Sequence, residues 1–260
     1  MKLIKSKKQD PNQNHVNQRK HILGKSSNFY IKEAYKTLRT NIRFFLAGEG
    51  CKKFAITSGL AGEGKSITIL NLAISFAENG SKVLLIDADL RRPTMARLLT
   101  QKASPGLSNV LAGLCNERDA IRKGIYPNLD VLLSGEIPPN PSELLGSQRM
   151  RDLLDKASRE YDYVLIDAPP VAIVSDVCVL ADMIDGVLFL VRTDRTEKDA
   201  VQKGLKQLEI SGAKIMGFVL NGGSKERGGY YGKKYKYKNK YGYYRYAYEN
   251  SGRKQTSEEI

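Results

Sequence analysis

At 260 residues with 41% hydrophobic content, the chain holds enough apolar material for one substantial core and gives no reason to expect several. Its net charge of +14 ordinarily points to nucleic acid or an anionic membrane, but residues 1–28 carry seven Lys/Arg against one acid and residues 222–260 ten against four, so the body from 29 to 221 keeps a surplus of only two. Three widely separated cysteines, Cys51, Cys115 and Cys178, have neither CxxC nor CxH spacing, which argues against a disulfide framework or a zinc site and fits a reducing cytosol.

Residues 1–28 are polar and basic without apolar periodicity and read as a flexible leader. There is no signal-peptide apolar core at the start and no run approaching the ~18 apolar residues of a membrane span. From about 30 to 46, Ile31, Ala34, Tyr35, Leu38, Ile42 and Phe45 recur at helical spacing, predicting an amphipathic helix that Gly48 and Gly50 end. Strands are then expected at 54–57, 83–88, 129–133, 163–168, 187–191 and 214–220, with helices at 65–79, 142–159, 176–183 and 197–210. Apolar strands alternating with helices imply a mainly parallel sheet covered on both faces. The expected fold is a three-layer α/β/α P-loop NTPase-like domain over residues 29–222, with ligands at the carboxyl ends of the strands.

The segment Gly59-Leu60-Ala61-Gly62-Glu63-Gly64-Lys65-Ser66 follows the first strand and opens the first of those helices, which is the context that G-x-x-x-x-G-K-[ST] requires. Gly59, Gly62 and Gly64 let the backbone, with Glu63, wrap around phosphate oxygens, while the helix N-terminus adds positive potential. Lys65 is placed to reach the β- and γ-phosphates of ATP and Ser66 to ligate Mg²⁺. Two further strands end in carboxylates: VLLIDAD with Asp87 and Asp89, and YVLIDAPP with Asp167. Acids at that edge can hold Mg²⁺ or accept a proton from an attacking hydroxyl. Spacing does not divide these roles between Asp87 and Asp89.

From Gly222 the composition changes. Residues 223–260 contain nine of the fourteen tyrosines, Tyr230, Tyr231, Tyr235, Tyr237, Tyr241, Tyr243, Tyr244, Tyr246 and Tyr248, among basic residues and almost no aliphatics, so this tail has no core to build. Alternating Tyr and Lys also suits single-stranded nucleic acid or anionic lipid. With an ATP site on the same chain, the reading adopted is that the tyrosines are phosphoacceptors, each phosphate adding about −1.5 to −2 charge.

The combination of a GxxGEGKS loop, VLLIDADLRRP, LIDAPP, the stretch SGEIPPNPSELL, EAYKTLRTNI at 33–42 and a terminal tyrosine cluster resembles the bacterial tyrosine kinases of polysaccharide export, over roughly residues 30 to 248. The resemblance implies that Lys65 and Ser66 are the Walker A pair, that Asp87 is the base toward tyrosine, and that Asp89 and Asp167 manage Mg²⁺. It also implies that tail tyrosines are phosphorylated by a neighbouring subunit of a ring-like oligomer, and that the chain needs a separate transmembrane activator of the chain-length-determinant type. The expected location is cytoplasmic, at the inner face of the membrane through that activator. The process implied is capsule or exopolysaccharide synthesis, with other tyrosine-containing proteins as further substrates and no nucleic acid. In such kinases E-x-x-R-x-x-R on the first helix makes the intersubunit contact; here it reads Glu33, Lys36 and Arg39, and lysine lacks the bidentate fork of arginine. By the same comparison Asn221 marks the adenine contact. The rival class is a regulatory ATPase of the MinD/ParA type, whose P-loop has a lysine where this chain has Leu60.

Overall fold

The computed structural model describes residues 19–222. A seven-stranded sheet runs through them in the order β3-β4-β2-β5-β1-β6-β7, made of β1 (Lys52–Ser58), β2 (Val83–Asp87), β3 (Ile121–Tyr126), β4 (Leu129–Leu132), β5 (Tyr163–Asp167), β6 (Gly186–Arg192) and β7 (Ile215–Asn221). Every pairing is parallel except β3 with β4. The central strands are buried on both faces, β2 along its whole length, as continuous apolar runs require.

Each face of the sheet has its own core. On one lie α1 (Phe29–Phe45), α2 (Lys65–Glu78) and α3 (Met95–Leu99), closing over Phe54, Ile56, Leu85 and Leu165. On the other lie α4 (Leu107–Leu111), α7 (Gln148–Glu160) and α8 (Lys198–Ile210), packed on Leu84, Ile86, Val164, Ile166 and Phe189. Two short helices, α5 (Glu117–Ala120) and α6 (Pro141–Leu145), fill the connections. Phe76 of α2 is fully buried, with its ring 6.4 Å from that of Phe54 and 4.2 Å from that of Tyr163. Phe76→Ala is therefore expected to remove about 3–5 kcal/mol of stability, measurable by denaturant unfolding of the domain.

The short helices α3, α4 and α5 were not among the expected elements, and four further features depart from them. The helix at 142–159 is two helices, because Gly146 ends α6 and the Ser147 hydroxyl accepts from the Met150 N–H to start α7. The helix at 176–183 is a single 3₁₀ turn, Cys178–Leu180. An additional edge strand, β3, pairs antiparallel with β4 and is nowhere fully buried, so it lacks the apolar run that marks the inner strands. Residues 19–28, read as part of the leader, lie against α2: Leu23 is buried, its N–H donates to Asn71 Oδ1 at 2.8 Å, and Asn71 Nδ2 donates to the His21 carbonyl at 2.8 Å.

Candidate active site

The phosphate loop turns sharply between β1 and α2. Gly62 and Gly64 take φ of +77° and +99°, a region glycine enters without the steric cost that a Cβ imposes. A Cβ on Gly64 would also collide with the Asn221 amide. That amide donates from Nδ2 to the Glu63 carbonyl at 2.8 Å, so the end of β7 is tied to the loop. The Gly62 carbonyl receives Arg192 and Arg195 at 3.5 and 3.4 Å. A Cβ on Gly59 would come within 3.2 Å of Ala200, which gives this glycine a packing reason beside any role toward phosphate.

Glu63 behaves differently from its neighbours. Its side chain is fully buried, one carboxylate oxygen accepting the Leu60 N–H at 3.1 Å and the other the Thr196 hydroxyl. Thr196 in turn accepts the Arg192 N–H at 2.8 Å. The carboxylate thus braces the loop, and what Glu63 can offer a phosphate is its backbone N–H. Arg192, Arg195 and Thr196 were not legible as site residues in the sequence, since they stand over a hundred positions away and match no motif of their own.

At the N-terminus of α2, where the helix dipole is positive, Lys65 is 6% exposed and Ser66 half-buried. The acids converge on the same edge. Parallel pairing of β2 with β5 sets Asp87 opposite Asp167, both fully buried, while Asp89 is 8% exposed. Asp87 Oδ2 accepts the Met95 N–H at 3.3 Å and Asp89 Oδ1 the Arg92 N–H at 2.9 Å. Asp87 Oδ1 and both Asp167 oxygens have no hydrogen-bond partner among the described residues.

Burial and crowding set the proton affinities. Asp87 is raised well above its ordinary value, first by desolvation and then by the Asp167 and Asp89 charges. Asp167 is raised to about 7, again mainly by desolvation; the Lys65 charge and the Ser66 hydroxyl pull the other way, although neither Asp167 oxygen has a hydrogen bond of good geometry. Unpartnered buried carboxylate oxygens call for a cation. Among the described residues no group of three or more His, Cys, Asp or Glu is arranged to hold a metal. Mg²⁺ takes one or two protein oxygens and completes its shell with phosphate and water. Ser66, Asp89 and Asp167 carry the hard oxygen donors that such an ion takes, those of Asp167 without another partner among the described residues.

The remaining predicted residues lie elsewhere. Glu33 and Lys36 form an exposed ion pair on α1 at 2.7 Å. Arg39 donates to the Ser75 carbonyl and hydroxyl on α2, about 15 Å along that helix from Lys65 at 1.5 Å per residue. This guanidinium is engaged within its own chain. The nine tail tyrosines lie outside the described residues, and among those described no helix is long and apolar enough to cross a membrane.

The family model that matches, over residues 51–209, is described as an AAA domain. The chain is 41% identical over 205 residues to the tyrosine-protein kinase YwqD of Bacillus subtilis, covering 78% of this chain and 86% of that protein. Among solved structures it is similar to the chimerical protein CapA2B2, with a TM-score of 0.73 and 36% identity over 77% of this chain and 88% of the other. The kinase domain of the Escherichia coli tyrosine kinase ETK gives a TM-score of 0.72 and 36% identity, over 75% and 77% of the two chains.

Proposed function

The chain belongs to the bacterial tyrosine-protein kinases, P-loop phosphotransferases, and from that membership we propose that it autophosphorylates its own C-terminal tyrosines in trans. The observation that carries the catalytic part of this reading is the pair of buried carboxylates, Asp87 and Asp167, with unpartnered oxygens beside the Lys65 end of α2. When bound, MgATP supplies the transferable phosphoryl group and a divalent charge against the phosphates. The backbone N–H groups of Gly59 to Gly64 and the α2 N-terminus cradle the phosphates, Lys65 counters the β- and γ-oxygens, and Ser66, Asp89 and Asp167 hold the metal. Asp87 accepts the tyrosine hydroxyl proton on Oδ1. Burial and the neighbouring Asp167 and Asp89 charges raise its proton affinity, which favours uptake of that proton. Asn221 and the Arg192–Arg195 loop flank the cradle and form the side on which the nucleoside would lie.

In this reading residues 223–260 present the acceptors and residues 29–222 form the kinase. A second copy brings its tail to the cradle, within a ring-like homo-oligomer to which α1 contributes through Glu33, Lys36, Arg39 and the exposed Phe29 and Ile31. A separate membrane activator holds the kinase at the inner face of the membrane. Modified tails then set the rate of capsular or extracellular polysaccharide synthesis.

The test mixes full-length Lys65→Met chain with active chain truncated after Gly229, adds the membrane activator and supplies labelled MgATP. Label on the tail tyrosines of the full-length chain is the expected result, and the truncated chain should bind nucleotide as the full chain does. Label absent from that mixture, but present when the intact wild-type chain is used alone, would show transfer within one chain. Label on serine would remove the tyrosine reading.

A further inference from the structure

Three segments on the reacting side of the site meet at one buried carboxylate that the phosphotransfer reading leaves unused. Asp176 lies beyond Asp167, in the stretch that leaves β5, and its side chain is fully buried. Arg91, two residues past Asp89, grips it with two donors, Nε to Oδ2 at 2.7 Å and Nη2 to Oδ1 at 2.9 Å. Ser142, in the first turn of α6, donates its hydroxyl to Asp176 Oδ1 at 2.6 Å and accepts Arg91 Nη2 at 3.2 Å. The anion is sealed from water, while the Arg91 side chain keeps 40% of its surface exposed.

Burying a carboxylate is costly unless it is paired and hydrogen-bonded, so this arrangement is built rather than incidental. Its place explains what it constrains. The turn from Asp89 to Met95 carries both groups that orient the reacting acids: the Arg92 N–H bound by Asp89 and the Met95 N–H bound by Asp87. Arg91 lies in that turn directly before Arg92 and ties it to the β5 exit through Asp176. A planar guanidinium fixes direction as well as distance through its paired donors, which a single ammonium does not.

We infer that Arg91 and Asp176 are positioning residues for phosphoryl transfer, holding the Asp89–Met95 turn against the β5 exit so that Asp87 and Asp89 face the phosphate cradle in one arrangement. This rests on the assignment of Asp87 and Asp89 to the reacting side. The competing view is a structural ion pair that holds the fold together and nothing more.

The experiment compares the full wild-type chain with Arg91→Lys and Asp176→Asn, each mixed with the membrane activator, using MgATP and a synthetic peptide of the tail sequence. Arg91→Lys keeps a cation beside the buried anion and loses the fork, so it separates direction from charge. The expected result is a loss of about 10- to 100-fold in kcat, the scale of a misplacement near 1 Å. The KM for ATP should stay within about threefold, since the nucleotide contacts are untouched. Melting temperature and fluorescent-nucleotide binding establish that each variant is folded. Wild-type kcat in Arg91→Lys would overturn the inference, because charge alone would then suffice. A fall in kcat matched by equal losses in nucleotide binding and melting temperature would overturn it in favour of the structural pair. Wild-type chain that binds ATP and yet transfers nothing to the peptide would strike instead at the assignment of Asp87 and Asp89, and the inference would fall with it.

Discussion

Lys65→Met is expected to lower phosphoryl transfer by at least about 10²–10³-fold, the scale for removing one preorganised charge from a reacting site, ~3–4 kcal/mol. Two effects act together. The side chain is 6% exposed, so its charge is little screened and its loss is felt fully by the β- and γ-phosphates. The same cation holds down the proton affinity of Asp167, and without it that carboxylate shifts toward its neutral form at pH 7, weakening the metal site as well. Methionine matches the aliphatic stem, so the fold should survive. The measurement is transfer of labelled phosphate to the tail, with circular dichroism as the control for folding. Labelling at the wild-type rate in a folded Lys65→Met chain would remove Lys65 from the mechanism.

The second large effect is on stability against pH in the absence of nucleotide and divalent cation. Asp167 has a folded-state pKa of about 7 against an ordinary value of 3.8, and Asp87 is shifted in the same direction. The folded chain therefore binds these protons more tightly than the unfolded chain does. The resulting stabilisation is fully present below about pH 4 and is lost as pH rises through about 7. Thermal stability of the cation-free protein should decline between about pH 5 and pH 8 on this account. Asp167→Asn replaces the anion by a neutral isostere, so it should flatten that decline and exceed the wild type at pH 8 by on the order of a few kcal/mol. Lys65 loses a neighbouring anion in the variant, which trims the gain. The same substitution should abolish Mg²⁺-dependent tightening of nucleotide binding. Calorimetric melts across this pH range decide the matter: a variant less stable than the wild type at pH 8, with an unchanged slope, would show that Asp167 is already compensated without a cation.

How much of this was legible in the sequence varied with how local each feature is. The phosphate loop, the apolar strands and the carboxylates that end β2 and β5 are short-range patterns. The seven-stranded, mostly parallel sheet agrees with the doubly covered fold they implied. β3 was missed because it is an edge strand with Arg122, Lys123 and Gly124 in its middle, so neither burial nor alternation marks it. The residues after Asp176 carry an apolar spacing that suits a helix, yet they close as one 3₁₀ turn, since Asp176 is drawn inward to Arg91 rather than set out as a helix cap.

The site shows the same division more sharply. Composition placed the charge at the two ends and left the body near neutral, and the spacing of Gly59 to Ser66 pointed to a tight turn between a strand and a helix, where Gly62 and Gly64 take positive φ. Which groups are free to do chemistry was decided by distant contacts. Glu63, a loop residue by sequence, is spent on Leu60 and Thr196. Arg39, expected at a subunit contact, gives Nη1 to Ser75, while its Nε has no hydrogen-bond partner among the described residues. Arg91, two residues after Asp89 in sequence, is locked to a carboxylate that the folding of two other segments brings to it. Sequence determines which donors and acceptors a segment carries. Burial decides which of them have already found a partner, and the oxygens left without one, on Asp87 and Asp167, became apparent only once the strands lay side by side.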